Sequence, residues 1–251
     1  MHSQSKKWGA YHIYIDGFAG GGVNISRTTK DFVLGSPLSV LRVQPPFKEY
    51  HFIDFDQQKT EQLRDNVGRR ADVFIHQGDC NNVLLTEVFP KISANRKMRG
   101  LCLLDPYGLD YCWETVQQAG STKRIDLFLN FPIMDANRNA LWRNPERLPD
   151  DRIIRMTRFW GDATWRDIAF TEEETLFETR TKKTVSDDFI AEAYRKRLKD
   201  KAGFAHVPKP IPMRNRRGGT IYYLFFASQK PVAEEIVIYI FDKYRYKGVQ
   251  R

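Results

Sequence analysis

Short apolar runs of strand length alternate with amphipathic stretches through the first half of the chain. Tyr11–Asp16 (Y-H-I-Y-I-D), Tyr50–Asp54 (Y-H-F-I-D), Val73–His76, Gly100–Leu104 (G-L-C-L-L) and Ile125–Asn130 (I-D-L-F-L-N) each read as a buried strand. Between them, Ser36–Val43, Gln57–Val67, Asn81–Ile92 and Trp113–Ala119 read as helices. This alternation predicts an α/β fold with a doubly wound, mostly parallel sheet joined by right-handed crossovers. Most of the strands run into Asp or Asn, so polar side chains gather along the carboxyl edge, where open α/β sheets bind their ligands.

The second half changes character. From Met134 to Gly203 the pattern is charged and helical, with expected helices over Asp151–Trp160, Thr171–Thr181 and Asp187–Ala202. Ala205–Met213 and Thr220–Ala227, separated by a turn at Arg216–Gly219, predict an antiparallel hairpin whose proline-bearing first strand lies at an edge. A last helix is expected over Val232–Tyr244. The domain reading is therefore a cofactor-binding core over 1–134, a helical basic insertion over 135–203, and strands and a helix over 204–251 that complete the core.

Composition narrows the class. The chain has 251 residues, 41% apolar and 28% charged, which fits a globular protein with a sizeable core and excludes a low-complexity chain. No run approaches a membrane span, and Met1–Lys7 is polar with no apolar segment behind it, so no membrane association is expected. Cys80, Cys102 and Cys112 form no C-x-x-C, and the five histidines show no ligand spacing; a reducing cytoplasm and no metal are the expectation.

The net charge of +9 is uneven. Residues 1–134 hold 16 Lys and Arg against 14 Asp and Glu; subtraction from the totals of 40 and 31 leaves 24 against 17 for the remainder. A basic second half suits a polyanionic partner, RNA or DNA, although a solvated surface on an ordinary basic protein has the same composition. Arg143, Arg147, Arg152, Arg155 and Arg158, with Trp142, Phe159, Trp160 and Trp165 interleaved, supply the basic and aromatic residues that single-stranded or flipped bases require. Aromatics at helical spacing also read as core. Arg195–Arg197 with Lys199 and Lys201, and Arg214, Arg216 and Arg217, form further basic clusters that read equally as a solvated helix face and an exposed turn.

The strongest local motif is Asp16-Gly17-Phe18-Ala19-Gly20-Gly21-Gly22, directly after the first strand. Glycines there permit positive φ and let backbone N–H groups approach a ligand. Neither G-x-G-x-x-G nor G-x-x-x-x-G-K-[ST] occurs, which leaves nicotinamide-dependent oxidoreduction with only the fold in its favour. Asp54 (F-I-D-F-D) and Asp79 (Q-G-D-C) follow at later strand ends; Asp54, Asp56 and Asp79 read also as N-caps of the helices that follow them.

The D-x-F-A-G-x-G string resembles the first motif of S-adenosylmethionine-dependent methyltransferases, in the form found among enzymes that methylate nucleobase amino groups. The resemblance implies a Rossmann-like methyltransferase sheet with a helical insertion and a C-terminal antiparallel hairpin. It also implies S-adenosyl-L-methionine as cofactor, with Asp16, Gly17, Phe18, Ala19, Gly20 and Gly22 cradling it, Asp54 accepting from the ribose hydroxyls and Asp79 facing the adenine amino group. Asp105-Pro106-Tyr107-Gly108 occupies the slot of the D/N-P-P-Y/F/W tetrad, which implies catalytic roles for Asp105, Pro106 and Tyr107. The second proline is missing and the aromatic residue comes one position early; a plain strand-end turn has the same residues. Asn130 and Phe131 (N-F-P) and Arg138 (A-N-R-N) are candidate substrate contacts, N-F-P reading equally as a turn.

Taken with G-S-P-L (Gly35–Leu38), L-F-L-N-F-P (Leu127–Pro132) and Y-Y-L-F-F-A-S near the end, these motifs resemble the three-Cys-motif partner proteins, TcmP, over 11–135 and 220–245. That resemblance implies association with a separate three-cysteine protein, a radical S-adenosylmethionine enzyme being one candidate. Two functions thus stand side by side: base methylation of nucleic acid, and a catalytically altered cofactor-binding accessory partner.

Overall fold

The computed structural model describes residues 10–25, 32–142, 145–174 and 179–245. Eleven strands and ten α-helices lie among them. Seven of the strands form one sheet in the order β10-β11-β7-β6-β1-β4-β5, with β1 (Tyr11–Asp16), β4 (Glu49–Asp54), β5 (Val73–Gln77), β6 (Met98–Leu104), β7 (Ile125–Phe131), β10 (Ile211–Arg214) and β11 (Thr220–Ala227). This is the expected α/β, mostly parallel sheet, finished by an antiparallel hairpin. The chain divides into two compact units, one of residues up to Asp105 plus Gln118–Phe128, the other of Pro106–Gln117 plus Leu129 onward.

In the first unit β1 pairs in parallel with both β4 and β6, and β4 with β5. Asp16 stands level with Phe52 and with Leu103, so the carboxyl ends of these strands lie along one edge. One face packs Tyr14, Tyr50, Phe52 and Leu63, the last from α2 (Gln57–Val67). Ring centroids of Tyr14 and Phe52 lie 6.3 Å apart and those of Tyr50 and Phe52 6.2 Å, tilted as aromatic quadrupoles prefer. Asp56 caps α2 by accepting from Gln58 N and Lys59 N; Gly68, at φ 70°, ends it. After β5, α3 (Cys80–Val83) passes through one π-turn over Leu84–Val88 into α4 (Phe89–Ala94). Two short strands, β2 (Val23–Ile25) and β3 (Phe32–Leu34), pair with each other ahead of α1 (Ser36–Val40).

The second unit carries α6 (Ile133–Asn139), a 3-10 turn at Pro145–Arg147, α7 (Asp150–Trp160), α8 (Thr164–Ala169) and α9 (Asp187–Asp200). α5 (Trp113–Ser121) begins in this unit, and α10 (Pro231–Arg245) ends it. Of Thr171–Thr181, expected as a helix, 171–174 and 179–181 instead lie in an antiparallel pair, β8 (Phe170–Glu174) and β9 (Thr179–Lys183), and 175–178 lie outside the described residues. The T-E-E-E and T-R-T-K-K runs carry β-branched threonines, which favour an extended chain over weak helical periodicity. The strand expected over Ala205–Met213 begins only at Ile211; Pro208 and Pro210 exclude ladder donors upstream, leaving an isolated bridge between His206 and Ser228.

The core of this unit is aromatic. Phe131, fully buried, lies 5.2 Å from Phe159 and 5.0 Å from Tyr194, ring to ring. Arg197 stacks on Trp113 at 4.9 Å and on Trp160 at 5.3 Å while pairing with Asp162 at 2.9 Å. No helix among the described residues is long and apolar enough to cross a membrane.

Candidate cofactor and acceptor sites

The glycine turn is fixed from both sides of the first unit. Gly17 N donates to Leu103 O at 2.9 Å and Ala19 N to Ile53 O at 2.9 Å, so the turn is tied to the strands flanking β1. A Cβ on Gly17 would fall 2.7 Å from Cys80 Sγ and 2.8 Å from Leu104 Cδ2, so a side chain there would displace both. Gly20 and Gly22 have φ of +65° and +81°, values that only glycine adopts cheaply. Around Gly20 no heavy atom lies within 4 Å of where a Cβ would stand, so this part of the turn is an open cradle.

Asp16 is fully buried beneath it. Its carboxylate accepts from Phe18 N at 3.2 Å and from Ser36 Oγ at 2.5 Å. Burial pushes its pKa from 3.8 to about 6, the two hydrogen bonds pull the other way, and the charges of Asp105 and Asp54 add to the rise. Ser36 comes from the G-S-P element, whose role in anchoring Asp16 across 20 residues is invisible in the sequence.

Asp54 accepts from Gly20 N at 2.8 Å with one oxygen and from Asp56 N at 2.9 Å with the other. A carboxylate has about four lone-pair sites, so acceptor capacity for two hydroxyls remains. Asp56 and Asp79 both cap their helices, Asp79 accepting from Asn82 N at 3.0 Å, and both are exposed. Phe55, between Asp54 and Asp56, is 77% exposed. It was not singled out from the sequence, where an aromatic residue after an apolar run reads as more strand. An exposed ring suits stacking on a flat heterocycle.

Asp105 is exposed at the end of β6. Asp16, Asp54, Asp56, Asp79 and Asp105 thus make this edge strongly acidic. Such an edge favours a cationic ligand and repels the diphosphate of a dinucleotide.

The rest of the D-P-Y-G string lies in the second unit. Pro106 is buried and Tyr107 is 96% exposed. Gly108, at the place where the tetrad has its aromatic ring, is buried, and a Cβ there would lie 2.5 Å from Arg155 Nη2 and 2.7 Å from Asp135 Oδ2. Tyr111 donates to Asn130 O at 3.2 Å, placing Asn130 and Phe131 within the aromatic core. Arg138 is exposed; its carbonyl accepts from Trp142 Nε1 at 2.5 Å, and Arg152 stacks over Trp142 at 5.1 Å. Arg147 and Arg158 are exposed, Arg143 lies outside the described residues, and Phe159, Trp160 and Trp165 are core. Arg195 is held by Glu192 and Val207 O, and within its cluster Lys196, Lys199 and Lys201 are exposed. Arg216 and Arg217 are exposed in the β10–β11 turn.

No family model matches the chain, and no curated protein does. Similar solved structures include a Listeria monocytogenes protein assigned as an S-adenosylmethionine-dependent methyltransferase (11% identity, TM-score 0.43, 91% of this chain and 97% of that one). Two others are the methyltransferase domain of bacterial CtHen1 (11%, 0.41, 90% and 94%) and the CMeT domain of the citrinin polyketide synthase (13%, 0.43, 89% and 48%). Likeness at this level does not bear on activity.

Proposed function

We propose that the protein is an S-adenosylmethionine-dependent methyltransferase acting on a base of RNA or DNA. The observation that carries this reading is the open, positive-φ cradle at Gly20 set against an acidic strand edge. S-adenosylmethionine bears a sulfonium and an ammonium against one carboxylate, a net positive charge that suits this edge. The cofactor would supply an electrophilic methyl group. Gly20 and Gly22 would let the turn approach it, Asp54 would accept from its ribose hydroxyls, Phe55 would pack on the adenine, and Asp79 would face the adenine amino group. Asp16 would balance its positive charge.

On the acceptor side, Asp105 would accept from the amino group of the base, and Tyr107 would offer its exposed ring for stacking. Such catalysis works by orienting the nitrogen lone pair, not by moving a proton ahead of transfer. The nucleic acid itself is supported by Arg138, Arg147 and Arg158 on the second unit's surface, and by the surplus of positive charge in the second half.

A second reading, the accessory partner of a three-cysteine protein, is favoured by Gly108. The space an aromatic ring would need there is taken by Arg155 and Asp135.

Calorimetric titration with S-adenosylmethionine, S-adenosylhomocysteine and NADH tests the cofactor. The expected outcome is binding of the first two, loss in Asp54→Ala, and an S-adenosylmethionine affinity that rises as pH passes upward through about 6, where Asp16 ionises. Binding of NADH alone, or of none of the three, rejects the reading. Labelled methyl transfer to RNA and DNA, lost in Asp105→Ala with cofactor binding kept, separates the enzyme from the accessory protein.

A further inference from the structure

Arg155 has a use that its place in a basic insertion conceals. Its Nη2 lies 2.8 Å from Asp110 Oδ1 and 3.4 Å from Asp135 Oδ2. The same two carboxylates hold the backbone that follows Tyr107: Gly108 N donates to Asp110 Oδ2 at 3.1 Å, and Leu109 N to Asp135 Oδ2 at 3.1 Å. The other oxygen of Asp135 accepts from Asn139 Nδ2 at 2.6 Å, one turn further along α6. One guanidinium on α7 and one carboxylate on α6 therefore grip a loop of three residues. The grip requires glycine at 108, because any Cβ would strike both partners.

Ion pairs between half-exposed groups add little stability. Their geometric effect is larger, since one guanidinium nitrogen held between two carboxylates restrains both, and each in turn fixes an amide. We infer that Asp135 and Arg155 are positioning residues that brace the 108–110 backbone and so set where the exposed Tyr107 ring stands. Arg155 is then not a phosphate contact, although its sequence neighbours suggest one. The consequence for a substrate base rests on the nucleic-acid reading given above; the brace itself does not.

The sign of charge separates this role from electrostatic attraction. Removing a carboxylate from a surface that binds a polyanion strengthens binding if only charge matters. The brace requires the reverse. In the full-length protein, amide exchange followed residue by residue by NMR and anisotropy with a fluorescein-labelled single-stranded RNA give the two readouts. Asp135→Ala is expected to speed exchange at Leu109 roughly tenfold or more, the factor carried by loss of one charge-assisted hydrogen bond, with α7 and the sheet unaltered. It is also expected to weaken RNA binding, as Tyr107→Ala does. Asp135→Asn, which keeps an acceptor for Leu109 N, restores slow exchange.

Arg155→Ala is expected to weaken binding without changing its salt dependence, whereas loss of a phosphate contact lowers the slope by about one. Unchanged Leu109 exchange in Asp135→Ala, or tighter RNA binding by that variant, overturns the brace. If the wild type binds neither RNA nor S-adenosylmethionine, the functional reading fails and the exchange data alone decide the brace.

Discussion

Two buried titrating residues of the first unit act on stability in opposite directions over the same pH range. Asp16 holds its proton up to about 6 in the folded chain against 3.8 when exposed, so its contribution is complete below 3.8 and is lost as pH rises to about 6. His51 is the reverse. Burial, with the charges of His76 and Lys91, lowers it from 6.5 to about 4, against the pull of Glu49, so its contribution is present above 6.5 and lost as pH falls to about 4. The rings of His51 and His76 stack at 5.4 Å with 3.1 Å between Nδ1 and Nε2, and Glu87 and Glu49 lie 3.3 Å from the far nitrogens. Each effect is on the order of 3 kcal/mol, at 1.36 kcal/mol for each tenfold change in proton affinity. Chemical unfolding between pH 4 and 6 should therefore show a nearly cancelled contribution from the pair in the wild type. Asp16→Asn should gain stability with rising pH relative to it, and His51→Phe should lose stability. Parallel slopes in all three would show that these groups do not titrate as described.

At the scale of elements, capping and close approach decide more than propensity. α7 ends at Gly161, whose φ of +105° and position against Trp113, with a would-be Cβ 2.4 Å from ring carbons, admit no other residue. Gly161→Ala should cost about 3 kcal/mol, joining left-handed strain to overpacking, and lower the urea midpoint accordingly. A cost below about 0.5 kcal/mol would mean that Trp113 has room to move. Most elements were legible in the pattern: β1, β4, β5, β6, β7 and α2 lie within a residue or two of their expected limits. The difference at 171–174 and 179–181 has a clear cause, since a strand pair is stabilised by its partner strand and not by its own periodicity. Three carboxylates alike in the sequence also have different partners. Asp56 and Asp79 cap helices, whereas Asp54 reaches back 34 residues to Gly20.

At the scale of the whole chain, a ligand that binds only the folded state raises its stability by mass action. S-adenosylmethionine at a hundred times its dissociation constant should add about 2.7 kcal/mol. For a chain of this size that is a rise of roughly 5–10 °C in the thermal midpoint, absent in Asp54→Ala. No shift at saturating cofactor would contradict the proposed site. The +7 surplus of the second half, 24 against 17, should make nucleic-acid binding steeply salt-dependent, with Arg147→Ala and Arg158→Ala each lowering the slope where Arg155→Ala does not.

The sequence by itself determined β1, β4, β5, β6, β7 and α2, the glycine turn after β1 and the line of carboxylates at strand ends, because those depend on local periodicity and backbone freedom. Only the tertiary structure decided which arginines face water and which are held by carboxylates. Arg155 and Arg158 sit three residues apart on one helix and look alike in the sequence, yet one meets Asp110 and Asp135 while the other is exposed. It also decided that Phe131 is core, that Phe55 stands in water, and that Ser36 holds Asp16. The physical reason is the same in each case: a side chain's work depends on partners distant in the chain, and periodicity carries no information about them.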